Sequence, residues 1–441
     1  MRRGALAILF VTLFVDLLGF GLIVPLIPIY IRHYGGAPWV GGLLMASFSM
    51  MQFVFAPVWG RLSDRVGRRP LILLSLVGSG VSYWMFGAAP NLAVLFAARV
   101  ASGILTAASL PTAQAYVADV TPPERRAGGM ALLGAAFGLG FAFGPWIGGV
   151  LGRYALPGYP AIATPAFFAS GLALVSFLFA LFLLPETHHD RRVSREREGP
   201  LAAFVAVRNA LRRPGIGAAL LVFAFANFAF AAVESSFSWL VILRFEDRLA
   251  QMAAAAWEAG QHTSFAALSP EMRAQLTERM AVGVSGGIFG IVGVTVLIAH
   301  GAVMGGLARR VGEAQLVIAG VAVLTLALLG VAFAQDLNAI RVLSACIALG
   351  SGVMGPSLTA LITQYADSGE RGTVSGAQHG LSSLARILAP PVNNYLVGWN
   401  TAVPFVAASA LMGVALALSL RLRPGAVREE GRPAVAGDPS A

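Results

Sequence analysis

The chain contains no lysine: all 31 of its basic residues are arginine, which we read as compositional bias rather than a functional device. It has one cysteine, Cys346, inside an apolar stretch, so no intramolecular disulfide can form and no redox compartment is implied. Charge is scarce, with Asp, Glu, Lys and Arg making up 12% of residues. There is no Gly-x-x-x-x-Gly-Lys loop, no metal-ligand spacing and no nucleophile motif, which argues against direct ATP hydrolysis and leaves a membrane enzyme or sensor without support. The net charge of +10 does not signal nucleic acid either, because the arginines sit in short segments between apolar runs and not on one folded face.

Apolar surface is what the chain has in abundance. Its 441 residues are 57% hydrophobic with mean hydropathy +0.75, far too apolar for a water-soluble globule of this length. A spanning helix takes roughly 20 mostly apolar residues at about 1.5 Å each, so about twelve spans use most of the chain. Apolar runs bounded by charge, Pro or Gly place them near 6–29, 38–59, 71–89, 92–116, 128–151, 163–184, 215–243, 282–304, 314–334, 338–363, 373–398 and 402–420. Met1-Arg2-Arg3 before an apolar run mimics a signal peptide, but Asp16 interrupts the run and no small-residue cleavage site follows. It is read as a retained first span.

With the N-terminus in the cytoplasm, only Arg32, Arg153, Arg244, Arg248, Arg273 and Arg279 fall outside, and Arg99, Arg341 and Arg386 fall in spans. All other arginines face the cytoplasm, so the positive-inside rule puts both termini there, in a multi-pass protein of the inner membrane. The expected organisation is an N-terminal six-helix half (1–184), a cytoplasmic linker (185–213), a C-terminal half (214–420) and a disordered cytoplasmic tail (421–441). The linker carries Arg191, Arg192, Arg195, Arg197, Arg212 and Arg213, and its His188-His189 reads more readily as a solvated pair than as a metal site. An external insertion at 245–281 has helical character: Ser269-Pro270-Glu271 supplies an N-cap, a first-turn proline and an acid near the dipole. It is either a lid over the exit or a passive surface hairpin.

The halves repeat one another. Gly60–Gly67 aligns with Gly305–Gly312, and nearly the same spacing carries Pro111 onto Pro356, Asp119 onto Asp367, Glu124-Arg125 onto Glu370-Arg371 and Pro145 onto Pro390. Two homologous halves imply a central site near the bilayer midplane.

On these residues the chain resembles the major facilitator superfamily, and within it the twelve-helix drug:proton antiporter branch of the tetracycline exporters. Gly60-x-Leu62-x-Asp64-Arg65-x-Gly67-Arg68-Arg69 matches the superfamily's signature loop, whose glycines allow a tight turn while the charges pair at the membrane face. The resemblance implies a gating role for Gly60, Asp64, Arg65, Gly67 and Arg68. Leu95-x-x-x-Arg99-x-x-x-Gly103 is similar to the motif with a buried arginine linked to proton coupling. Gly140-x-x-x-Gly144-Pro145-x-x-Gly148-Gly149 matches the antiporter pattern, and glycines four apart let helices approach closely at a rocking interface. Ordinary small-residue packing is the alternative for Gly144, Pro145, Gly148 and Gly149. Asp16-x-x-Gly19-x-Gly21-x-x-x-Pro25-x-x-Pro28, Met51-Gln52-Phe53 with Ala56-Pro57, and Phe245-Glu246-Asp247-Arg248 resemble the tetracycline exporters. One departure matters: the third-span acid of those exporters falls at Ser82, which puts tetracycline itself in doubt.

An ionisable group in the hydrocarbon region costs at least about 2.5–3.5 kcal/mol, so each one asks for a partner, an aqueous cavity or a task. Those present are Asp16, Arg99, Glu234, His300, His379 and Arg386, with Arg341 at a boundary, and none lies in spans 3, 6, 9 or 12. Asp16 lies roughly 12 Å from the cytoplasmic end of span 1 and Arg99 roughly 10 Å from the outer end of span 4, both near mid-depth. Burial disfavours a carboxylate and a nearby arginine favours it, so an acid moved between such environments loads and releases a proton. Asp16 is the candidate carrier with Arg99 as modulator; a structural ion pair is the other reading. Glu234 pairs with Arg386 or meets a cationic substrate. Gln52, Gln114, Tyr116, Asn227 and Arg386 are candidate cavity groups, though the neutral ones can equally bond to a neighbouring helix, and the two histidines read as packing residues that can also titrate.

The expectation is an all-α polytopic membrane protein, 12 transmembrane helices in two pseudo-symmetric six-helix bundles. It exports small amphipathic molecules or drugs in exchange for protons, with no cofactor beyond the proton gradient, no nucleic acid and no partner protein, as a monomer in the lipid bilayer. The alternative is export or proton-coupled import of a specific metabolite such as a sugar.

Overall fold

The computed structural model describes residues 2–122, 126–187, 207–208, 211–212, 215–261, 264–366 and 371–422. Three expectations lie outside these residues: the His188-His189 pair with most of the arginine-rich linker, the repeat members Glu124-Arg125, Asp367 and Glu370, and the tail beyond Leu422.

All regular structure among the described residues is helical, with no strand. In chain order the helices are α1 (Arg2–Ile23), α2 (Ile27–His33), α3 (Pro38–Val66), α4 (Arg68–Gly87), α5 (Leu92–Thr106), α6 (Ser109–Val120), α7 (Arg126–Leu151) and α8 (Thr164–Leu183). They continue as α9 (Ile216–Arg244), α10 (Glu246–Gln261), α11 (Pro270–Ala302), α12 (Ala308–Val311), α13 (Glu313–Phe333), α14 (Leu337–Tyr365), α15 (Arg371–Trp399) and α16 (Val403–Ser419). Among the described residues, ten of the resulting segments are long and apolar enough to cross a membrane. The expected last span is α16, 17 residues long, and the expected eleventh is α15, which has the length but carries a polar face. Apolar side chains such as Trp84, Val175, Phe182, Leu326 and Phe333 point outward, as a lipid solvent demands.

Local chemistry sets the ends. A 3-10 turn, Val24–Leu26, with Pro25 inside it and Pro28 just beyond, joins α1 to α2. α3 stops at Gly67, whose φ of +114° suits only glycine, and its repeat partner Gly312 turns the same way at φ +91°. The repeat seen in sequence is thus a repeat in backbone at this turn, although the second copy is interrupted by a π segment at Val303–Leu307 where α3 is unbroken. The fourth expected span is not continuous: it breaks between Thr106 and Ser109, two residues before Pro111. The eighth begins earlier than expected. Ser269 caps α11 by accepting from the Met272 N–H at 3.2 Å, and the helix runs unbroken from Pro270 through the expected span start at 282. The 245–281 segment is thus α10 plus the first turns of α11.

Successive spans alternate direction, giving a terminal face, where α1 begins and α16 ends, and a distal face opposite. α7 packs on α1 and on α11, α3 on α5 and on α15, α4 on α8, and α9 on α15 and α16. Thus α7 with α11, and α3 with α15, join the first eight helices to the later ones.

Candidate functional site

The Asp16 side chain is buried in α1. Its Oδ1 accepts from Ser79 Oγ of α4 at 2.5 Å and its Oδ2 from Ser109 Oγ of α6 at 3.1 Å. The Tyr83 hydroxyl donates to the Asp16 carbonyl at 3.4 Å. Arg99 of α5, also buried, makes no ion pair with Asp16; its guanidinium lies 4.4 Å over the Phe48 ring and 5.9 Å from that of Phe20. Its Nε has no hydrogen-bond partner among the described residues. Glu234 of α9 lies within electrostatic range of both Arg99 and Arg386 of α15. Asp16 has hydroxyls in place of the expected arginine.

A cavity of about 230 Å³ opens beside this cluster, in the terminal half of the bundle. Its walls are almost wholly apolar, from α7 (Gly134, Gly138), α9 (Phe223, Phe230) and α11 and α14 (Val296, Met354). Its polar groups are Asn227, His300 and Ser351, and it ends at Val233, next to Glu234. Asn227 donates to the Phe223 carbonyl at 2.9 Å and accepts from Ser382 Oγ at 3.0 Å, so it is held in place at the wall. Small apolar walls with few fixed polar groups make a pocket for an amphipathic molecule.

Other expected cavity groups lie elsewhere. Gln52 reaches Thr106 Oγ1 at 3.5 Å, beside the α5/α6 break. Gln114 is half-buried on α6. The Tyr116 ring is fully buried with Leu9, Leu13 and Ile72 near the terminal face, and its hydroxyl donates to the Pro185 carbonyl at 2.9 Å. His379 sits on α15, where its carbonyl accepts from Ser383 Oγ.

The signature loop forms a closed charge network at the terminal face. Arg68 donates to Asp64 Oδ1 at 2.5 Å, to Ser63 Oγ at 3.2 Å and, through Nε, to Asp119 Oδ2 at 3.1 Å. A member that sequence reading missed completes it: Glu186, just past α8, accepts from the Arg68 and Arg69 backbone N–H groups at 3.0 and 3.2 Å. It caps the start of α4, where orphan N–H groups and the dipole favour an anion. A Cβ on Gly67 would meet the Glu186 carboxylate at 2.5 Å, so the glycine makes room for the cap. Arg69 also donates to the Leu181 carbonyl at 2.5 Å. An acid directly after an apolar run, opposite an arginine-rich loop, was the signal available. Ser79 and Ser109 offered none beyond their place in apolar helices.

The α7 glycines divide between two partners. A Cβ on Gly144 would meet the Gly21 backbone at 2.8 Å, and one on Gly148 the Leu22 carbonyl at 2.9 Å, so both face α1. Gly149 faces α11: its Cβ would fall 2.8 Å from Gly286 Cα, and a Cβ on Gly286 would fall 2.7 Å from the Pro145 carbonyl. Toward the distal face Gly42 of α3 meets α15 equally closely, with 2.4 Å left to the Pro390 carbonyl. Two charge pairs cross the same face, Arg32 with Glu246 and His33 Nδ1 with Glu278 Oε2 at 3.5 Å.

Helices alternating through a membrane, joined along two seams around a mid-depth cavity, define a secondary transporter of the two-bundle type. The family model for the Major Facilitator Superfamily matches residues 9–390, with a second match over 255–439, and the chain belongs to that family. It is 32% identical to the class C tetracycline resistance protein of Escherichia coli over 88% of each chain. It is 33% identical to the class G tetracycline resistance protein of Vibrio anguillarum over 88% of this chain and 89% of that one. Among solved structures it resembles the human organic anion transporter MFSD10 (TETRAN), with TM-score 0.64 and 26% identity over 95% of this chain and 99% of that one. These relatives are transporters and not enzymes. The chain is accordingly a multi-pass membrane transporter with a small-molecule substrate.

Proposed function

We propose that the protein exports small amphipathic molecules or drugs across the inner membrane in exchange for protons, by alternating access, with both termini in the cytoplasm. The observation that carries this reading is the buried carboxyl of Asp16 near mid-depth, which makes no ion pair among the described residues, in a bundle whose cavity lies on the terminal side. An acid at that depth with no cation beside it is costly and has a use when it exchanges a proton. Kinship with tetracycline resistance proteins supports a drug as cargo and export as direction. The arginine distribution supports a cytoplasmic terminal face.

In this cycle the cavity takes substrate from the cytoplasm, and the distal seams part to release it. Gly42, Gly149 and Gly286 line the seams that part, the Asp64–Arg68–Asp119–Glu186 network moves as one unit with its helices, and Glu234 balances the charges of Arg99 and Arg386. The N-terminal half (1–184), linker (185–213), C-terminal half (214–420) and tail (421–441) are the working divisions, and one chain suffices. Ser82, at the position of the tetracycline exporters' third-span acid, is buried with its hydroxyl unbonded, which favours a cargo other than tetracycline. Substrate flux into everted vesicles tests direction and coupling: an imposed acidic interior drives accumulation, a protonophore abolishes it, and Asp16→Asn shows none. Accumulation that ignores the protonophore would refute proton exchange.

A further inference from the structure

The two charge states of a carboxyl ask opposite things of their neighbours. A carboxylate only accepts hydrogen bonds, whereas the acid must also place its own O–H on an acceptor. A guanidinium or backbone N–H can donate to either state but cannot accept the acid's O–H. A serine hydroxyl serves both, because its proton rotates about the C–O bond and leaves lone pairs free.

Among the described residues several buried hydroxyls bond backward to their own helix: Thr12 to the Ile8 carbonyl, Ser75 to Ile72, Thr106 to Ser102 and Ser344 to Ile340. Ser79 and Ser109 do not. Each turns from a different helix onto a separate oxygen of Asp16, at 2.5 and 3.1 Å. Ser109 opens α6, just after the break that follows Thr106. Ser82, one turn along α4 from Ser79, is equally buried and has no hydrogen-bond partner among the described residues.

We propose that Ser79 and Ser109 are the positioning residues of the proton site, a pair of reversible hydroxyl partners that keeps the Asp16 carboxyl hydrogen-bonded in both of its charge states. Toward the carboxylate both hydroxyls donate. When Asp16 takes up a proton, one O–H rotates away and its oxygen accepts from the new acid, while the other goes on donating to the carbonyl oxygen. The proton comes from and returns to water, and no helix has to move to satisfy the site. This rests on the reading of Asp16 as the carrier.

The test is pH-difference infrared spectroscopy of the purified full-length protein, following the carbonyl stretch of the protonated carboxyl that disappears in Asp16→Asn. Ser79→Ala and Ser109→Ala are expected to move that band to higher frequency, because the acid loses a partner. Ser79→Thr restores the wild-type position, and Ser82→Ala leaves it in place. A band assigned to Asp16 that neither serine-to-alanine change moves overturns the inference while leaving the carrier intact. If Asp16→Asn removes no band, the carrier reading itself fails and this inference falls with it.

Discussion

The two faces of the bundle are held by different chemistry. At the distal face the seams close by backbone against backbone: Gly42 on Pro390 and Gly149 on Gly286, with two charge pairs laid across the rim. At the terminal face the charges turn inward, since Arg68, Asp64, Asp119 and Glu186 bond one another within α3, α4, α6 and the end of α8. The apolar cores follow suit. One cluster runs through both sets of helices, including α2 and α9 near the distal face, while Leu9, Ile72, Tyr116 and Leu133 form a separate one at the terminal end of α1, α4, α6 and α7. A contact made of glycine backbones is short-ranged and all-or-none, so it suits a seam that must separate cleanly. A buried charge network suits a rigid unit that moves as a body.

The largest effects should come from filling the distal seams. A Cβ on Gly286 would fall 2.5 Å from Gly149 Cα, and one on Gly42 2.4 Å from the Pro390 carbonyl. Overpacking of this kind costs about 1–3 kcal/mol, which shifts a two-state balance roughly 5- to 150-fold. Gly286→Ala and Gly42→Ala are therefore expected to hold the distal face open. In a Cys346→Ala background, alkylation of Ser236→Cys by an impermeant maleimide should rise accordingly while transport falls. Gly413→Ala on α16, with nothing within 4 Å of the new methyl, should leave both unchanged.

Glu186→Ala comes next. Two backbone donors lose their acceptor, a cap loss worth about 0.5–2 kcal/mol. It should lower the thermal midpoint without exposing Ser236→Cys, and Glu186→Gln should recover part of the loss. Tyr116→Phe removes one hydrogen bond to the Pro185 carbonyl, about 0.5–1.5 kcal/mol, and should leave substrate affinity unchanged; an affinity loss would return Tyr116 to the binding site. The smallest effect is expected from Glu278→Gln at the exposed distal rim, about 0.2–1 kcal/mol, seen as a few-fold rise in Ser236→Cys labelling.

Much of this was legible in the sequence because it rests on composition and on glycine. Hydropathy placed the spans, the repeated Gly67 and Gly312 marked equal turns, and the α7 glycines marked close helix approach. What sequence could not supply was rotation about the helix axes. Asp16 and Arg99 share a depth, but only the packing of α4 and α6 shows that serines occupy the carboxyl. Tyr116 looked like a cavity group because an apolar helix gives no sign of which face meets a neighbour. The polar face of α15, which lowers its hydropathy, belongs to a helix packed on α3 and α9 along a seam. Helix breaks were also hidden: Pro111 hints at one, yet Pro57 sits inside an unbroken α3.

The most direct test of exchange at Asp16 is proton release when candidate drugs are added to the purified protein in weakly buffered detergent, comparing wild type with Asp16→Asn and Arg99→Ala. Exchange at Asp16 predicts release from the wild type and none from Asp16→Asn. Normal release from Asp16→Asn would contradict it and make Glu234 the carrier to examine.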